Sequence, residues 1–236
     1  MKEDNLQDPD EMKVKFSSLP DSSGGARNVA SITTKTGDDG STGLLFGGRV
    51  RKDDPVIEAV GALDEAQAAI GMARAYGRSI DNSSVEGSAN NSLLEGSADK
   101  DNRMISEKSI DSILGELESD LWILMAEVSG SHKGTEKLVP GKTCVTYEMV
   151  DCLGKTGEHL SMKLDMPKGF VVPGETMEGS LLDNARVVVR RAERRVAALS
   201  MPESSYAGQY LNRLSDLLWI MARLADGEPR MVRGDR

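Results

Sequence analysis

Five arginines fall within ten residues of a chain that is otherwise acidic: Arg186, Arg190, Arg191, Arg194 and Arg195. Guanidinium groups are planar forks of N–H donors suited to carboxylates and phosphates. At a helical period Leu182, Ala185, Val189, Ala192, Val196 and Leu199 form one apolar stripe. Arg186, Arg190, Glu193 and Arg194 then lie on a neighbouring face, with Arg191 and Arg195 further round. Such a ridge beside a buried stripe can hold an anion. The same spacing fits a solvated basic face crossed by pairs with Glu193. A second stretch points toward phosphate. From Ser31 to Gly48, five glycines stand among hydroxyls and one lysine. Glycine lets backbone N–H groups turn toward a close ligand, and Thr34, Lys35, Thr36, Ser41 and Thr42 add donors. The spacing is not that of a Walker A loop, and a plain surface loop has the same composition.

The 236 residues suffice for one large domain or two small ones. Aromatic residues make up only 4%, so a core must be filled by Leu, Val, Ile, Ala and 12 Met, a mixture that suits helices. A net charge of −9 argues against general nucleic-acid binding and makes the arginine ridge a local positive site, fit for a small anion. Cys144 and Cys152 make no disulfide framework, and with His132 and His159 they show no metal-ligand spacing; they read as ordinary buried thiols and surface histidines. No apolar run reaches the ~20 residues of a membrane helix. The acidic, polar N-terminus resembles neither a signal nor a transit peptide, so a cytoplasmic location is expected.

The elements that must position these residues follow from periodicity. Residues 1–30 read as a disordered polar leader. Asp53 or Asp54 can cap a first helix with Pro55 at its first position, running to about Tyr76 through Val56, Val60, Leu63 and Ile70. Within it Glu65 reads as solvated. Asp64 shares the face of Val60, Ala68 and Gly71, where burial would call for a cationic partner. Residues 78–109, polar and rich in Ser, Asn and Gly, read as a flexible insertion. Further helices are expected over about 110–129, 145–162, 176–200 and 204–225, and residues 227–236 as a frayed tail. Phe170, in a short extended segment fenced by Pro167 and Pro173, reads from its type as a core anchor. Asn212, mid-helix against its propensity, is a candidate polar contact. No strand pair is evident. The expectation is an all-α, five-helix up-and-down bundle, one domain over residues 31–226.

Three stretches, in this order, resemble the ATP:cob(I)alamin adenosyltransferases of the propanediol-utilisation type. The first is Thr34-Lys-Thr-Gly-Asp-Asp-Gly40, continuing to Lys52 and to Val60-Gly-Ala-Leu-Asp64-Glu65. The second is Phe170-Val-Val-Pro-Gly174 leading into Ala185-Arg186-Val-Val-Val-Arg190-Arg191-Ala-Glu193-Arg194-Arg195. The third is Leu211-Asn212-Arg213-Leu214-Ser215-Asp216. The resemblance spans about Ile32 to Ala225 apart from the insertion. It implies a ferritin-like helical bundle that assembles as a homotrimer with ATP between subunits. The implied ATP contacts are Thr34, Lys35, Thr36, Gly37, Thr42, Gly43, Lys52, Arg190, Arg191, Glu193, Arg194 and Asn212. It pairs Asp64 with Arg186, and it puts Phe170 against the lower face of the corrin, where the ring keeps cobalt four-coordinate.

The implied reaction is displacement at the 5′ carbon of ATP by Co(I), with triphosphate leaving and Mg²⁺ accompanying it. Cobalamin is the second substrate. A cobalamin reductase and an adenosylcobalamin-dependent enzyme are the implied partners. Co(I) is itself a strong nucleophile, which agrees with the lack of any Ser/His/Asp or Cys/His set; the protein's tasks reduce to positioning, water exclusion and electrostatics. Three features depart from the family's pattern: Asp183 where His is frequent, Glu175 where a second Gly is frequent, and the polar insertion. Two other readings stay open at this stage, a non-catalytic trimeric carrier of ATP and cobalamin and an all-α scaffold with a solvated basic face.

Overall fold

The computed structural model describes residues 16–19, 27–30, 35–84, 109–131, 134–228 and 230–232. They divide into two compact units, 1–42 and 43–236. Five helices make up most of the second: α1 (Pro55–Ser84), α2 (Ile110–Gly130), α3 (Tyr147–Ser161), α4 (Met177–Ala197) and α5 (Ala207–Asp226). The helical architecture expected from periodicity is the one found.

The helices start where short polar side chains satisfy orphan N–H groups. Asp54 accepts from Val56 N–H at 2.9 Å ahead of Pro55, Ser109 from Ser112 at 3.1 Å, and Thr176 from Gly179 at 2.9 Å. Of the two candidate caps of α1, Asp54 serves; Asp53 is held instead by Arg51 Nε at 2.8 Å. Helix α1 runs eight residues past the expected end at Tyr76. The polar composition after Gly77 suggested a loop, but Arg74 and Arg78, one turn apart, both grip Asp111 of α2, at 2.9 and 2.5 Å, and Arg74 also holds Glu118 at 2.6 Å. These cross-helix pairs carry the helix into the stretch read as insertion, whose residues 85–108 lie outside the described residues.

The core is continuous through the bundle. From α1, Ala59, Leu63, Ala66 and Ile70 are buried; from α2, Leu117, Leu121 and Leu124; from α4, Leu182, Ala185, Val189 and Ala192; from α5, Leu211, Leu214 and Leu218. Helix α4 packs on both α1 and α5, so it sits between two neighbours and its arginines emerge at their seams. Small alanines on α1 and α4 allow this close approach. Gly179 permits another: a Cβ there would lie 2.1 Å from Asp226 Oδ1.

Four short strands also form, against the expectation of none. β1 (Phe16–Leu19) and β2 (Arg27–Ala30) pair antiparallel, Phe16 opposite Ala30 and Leu19 opposite Arg27. They fall in the segment read as a disordered leader; Phe16 and Val29 are strand formers, and Pro20, Gly24 and Gly25 between them are turn formers. β3 (Ser41–Gly43) and β4 (Arg49–Arg51) flank the end of the glycine-rich stretch. The thiols read as buried are not: Cys152 is exposed and Cys144 half-buried. His159, read as a surface residue, is buried on α3, and neither ring nitrogen has a partner among the described residues. No helix among the described residues is long and apolar enough to cross a membrane.

Replacing Leu214, fully buried where α5 meets its neighbours, by alanine is expected to cost about 2–5 kcal/mol from the lost burial and the cavity left behind. Urea unfolding would measure it; a loss under about 1 kcal/mol would mean that the site collapses around the smaller side chain.

Candidate functional site

Helix α4 separates its arginines into two sets. Arg191 pairs with Glu65 of α1, and Arg195 Nη2 lies 3.1 Å from Glu58 of the same helix. Glu65 is solvated, as expected, and is also a partner in an ion pair. The two bridges are half-exposed, so each adds about 0.2–1 kcal/mol at most. Arg190 and Arg194, exposed on the next face, remain open to solvent, and Arg194 Nη1 donates to the Arg190 carbonyl at 3.0 Å. Asn212 of α5 donates to Glu193 Oε1 at 3.3 Å. Of four residues expected at one site, Glu193 and Asn212 meet across the seam of α4 and α5, while Arg190 and Arg194 are exposed on α4. Arg191 is drawn to the α1 seam.

The expected pair of Asp64 with Arg186 is absent from the chain. Asp64 is exposed and has no ion pair among the described residues. The buried stripe of α1 runs through Ala59, Leu63, Ala66 and Ile70, which turns Asp64, with Ala68, toward solvent. Arg186 instead donates its Nε to Asp183 Oδ1 at 2.8 Å, one turn back on α4. The other oxygen of Asp183 accepts from Arg223 of α5. The sequence reading missed Arg223 altogether. An arginine within an otherwise apolar helix face was the available signal, since burial there demands a carboxylate.

Phe170 is no core anchor: it is 88% exposed. Its ring borders a cleft of about 600 Å³ whose wall includes Pro173, Asp183, Arg186, Trp219 and Arg223. Residues beyond α5 hold its backbone. Val172 N–H donates to the Arg230 carbonyl at 2.7 Å, and Val232 N–H donates to the Phe170 carbonyl at 2.9 Å. The described part of the tail is thus a strap along the Phe170 segment, where fraying was expected. Its residues supply backbone groups to an extended segment that has few other partners.

The glycine-rich stretch crosses the boundary between the units. In the first, Lys35 takes a left-handed φ of 58° and opens a turn, with Gly40 N–H donating to Gly37 at 3.2 Å. Lys35 and Thr36 are exposed, Gly37 and Thr42 half-buried; Thr34 lies outside the described residues. In the second unit, Gly43 precedes buried Leu44, and Leu45 N–H donates to Ser129 Oγ of α2 at 3.0 Å. The Phe46 ring packs so tightly on Gly130 and Gly134 that a Cβ at either would come within 3 Å of it. Lys52 is exposed in the turn before α1. Among the described residues no three His, Cys, Asp or Glu side chains converge as a metal set.

An open guanidinium pair, a polar Asn–Glu contact and an exposed aromatic ring over a cleft stand on one helical bundle. The chain belongs to the cobalamin adenosyltransferase family, whose profile matches residues 32–225. It is 34% identical over 205 residues to a corrinoid adenosyltransferase of Mycobacterium tuberculosis, covering 85% of this chain and 91% of that protein. It is 31% identical to a cobalamin adenosyltransferase of Cupriavidus metallidurans, covering 83% and 88%. Among solved structures, a variant PduO-type ATP:corrinoid adenosyltransferase from Lactobacillus reuteri complexed with cobalamin and ATP has the same fold, with a TM-score of 0.65 at 20% identity, covering 87% of this chain and 98% of that one.

Truncation after Asp226 should release the Phe170 segment. Hydrogen exchange at the Val172 amide is expected to accelerate by at least about tenfold, while amides in the middle of α1 keep their protection. Unchanged exchange at Val172 would show that the strap does not hold the segment.

Proposed function

We propose that this chain transfers the 5′-deoxyadenosyl group of ATP to the cobalt of cob(I)alamin, with triphosphate as the leaving group. The observation that carries the reading is the conjunction on α4 of open Arg190 and Arg194 with Arg186 on the wall of the cleft that Phe170 borders. The C–O bond at the ribose 5′ carbon breaks as the Co–C bond forms, and negative charge grows on the triphosphate. Arg190 and Arg194 suit that charge, since pre-placed donors act most strongly where charge develops. Glu193 and Asn212 orient one another beside them. Lys35, Thr36, Gly37, Thr42, Gly43 and Lys52 are the loop residues we assign to the phosphates, with Thr34 by resemblance. The donor set fits a Mg²⁺ that arrives on the triphosphate oxygens, as this ion commonly does.

Phe170 has the complementary task. An exposed phenyl ring costs solvation unless something apolar covers it. A corrin lower face is such a cover, and a ring there excludes water and axial donors from cobalt. Asp64, Phe170 and Arg190 are all exposed on the single chain, which suits a site completed by a neighbouring subunit. The active unit we propose is therefore a homotrimer. Light scattering should give about three times the 25.4 kDa of the chain; a monomer that turns over would remove the inter-subunit site.

The test of function is an anaerobic assay with reduced cob(I)alamin, ATP and Mg²⁺. Loss of the Co(I) absorbance with a light-sensitive product and released triphosphate is the expected result. Arg190→Ala should lower kcat by roughly 10²–10³-fold, as removal of a donor to developing charge does. ATP binding without product would make the chain a carrier instead.

A further inference from the structure

We infer that the groove between α2 and α3 is a docking site for a basic amphipathic helix of another protein. The helices pack in succession, α2 on α1, α1 on α4, α4 on α5 and α5 on α3. The end members, α2 and α3, are not a principal packing pair, and a groove of about 250 Å³ lies between them. Ile113 and Leu117 of α2, Met149 and Leu153 of α3 and Leu217 of α5 supply its apolar lining. On both walls these residues stand four apart, so the trough follows the helices. One end of it is tied. Glu127, buried on α2, accepts from Val145 N–H at 2.7 Å, just ahead of α3, and from Ser205 Oγ at 2.5 Å.

The edges of the trough are acidic. Glu116, Asp120 and Glu148 border it, and among the described residues its lining holds no Lys or Arg. Glu116 and Asp120 follow at i,i+4 on α2, a spacing at which like charges destabilise a helix. Helix α2 has neither Lys nor Arg along its length. The one lysine of α3, Lys155, is paired with Asp151 at 2.9 Å. Asp120 is held from below: the phenol of fully buried Tyr210 donates to its Oδ2 at 2.7 Å. An apolar floor between acidic edges repels an acidic chain. It attracts a segment with aliphatic side chains along one face and Lys or Arg beside them. A helix suits the walls, because two helices without a close neighbour between them accept a third at about 8–10 Å. The volume is below the ~300–1,000 Å³ of small-ligand pockets and fits the anchoring side chains of a docked helix. No residue of α4 or of the Phe170 segment lines the groove, so this occupant leaves the surfaces proposed for ATP and the corrinoid uncovered. Cys152, exposed on α3, lines it and reports whether it is filled.

The probe is a synthetic helical peptide of about 16 residues with Leu at i, i+3, i+4 and i+7 and Lys on both flanks, beside a second peptide with Glu in place of Lys. Calorimetry on the full chain is expected to show the Lys peptide binding at least about tenfold tighter than the Glu peptide. Glu116→Lys combined with Glu148→Lys, both exposed positions, should reverse that preference. In a Cys144→Ser background the bound Lys peptide should slow alkylation of Cys152 by N-ethylmaleimide at least about tenfold, the protection expected of a buried thiol. This second readout needs no charge reversal, so it decides the matter even where the reversed variant fails to fold. Absence of binding, equal binding of the two peptides, a preference unmoved by the reversal, or a Cys152 that alkylates as fast in the complex would overturn the proposal. A light-scattering mass that falls in the reversed variant would give the groove to a second copy of the chain. Slow alkylation of Cys152 before any peptide is added would give it to the chain's own residues. Either result overturns docking of another protein there.

Discussion

Mutual repulsion among the arginines of α4 is the constraint on which the rest depends. Arg186, Arg190 and Arg194 follow each other at four-residue spacing, as do Arg191 and Arg195. Each such like-charge pair destabilises a helix by about 0.2–0.5 kcal/mol. The fold answers with carboxylates from neighbouring elements: Glu65 and Glu58 from α1, Asp183 from α4 itself. Compensation is selective. It reaches Arg191, Arg195 and Arg186 and stops short of Arg190 and Arg194. The positive potential that would otherwise spread along the ridge is confined to those two residues. A net charge of −9 over the whole chain sharpens that contrast.

Anchored and open parts of the site alternate along the chain. The end of the glycine-rich stretch is anchored by Phe46 on two glycines and by Leu45 on Ser129. The Phe170 segment has its backbone strapped by residues 230–232 but its ring almost fully exposed. Rigid backbone under an uncovered side chain is the arrangement of a preformed contact surface, since the ordering entropy has been met before the ligand arrives.

The helices were legible because their signals are local. The cap at Asp54 and apolar residues at three- and four-residue spacing lie within one turn of what they specify. The arginine ridge was legible for the same reason. What escaped was non-local. Asp183 looked like a mere departure from pattern because its partner Arg223 is 40 residues away and lies in an apolar helix. Helix α1 outran its expected end because Asp111, which holds Arg78, is 33 residues on. The burial of Asp64 was misjudged by one position in the helical phase: about 100° per residue separates it from Leu63, which is fully buried. Phe170 was read as core from its type, although Pro and Gly on both sides leave its segment no regular element in which to bury a ring.

The same rotation explains why the ridge works as two tools. Successive residues of a helix differ by about 100°, so Arg190 and Arg191 cannot face one neighbour. Glu65 and Glu58 pair with the residues on the α1 side, and the residues preceding each, Arg190 and Arg194, are exposed on another face. Toward α5, Asn212 meets Glu193. Nearer the N-terminus of α4, Asp183 is within reach of Arg223 and Arg186 stands at the cleft. The weak, half-exposed bridges contribute little to stability. The roll of α4 is set by its apolar stripe, in which Leu182, Ala185, Val189, Ala192 and Val196 are all buried.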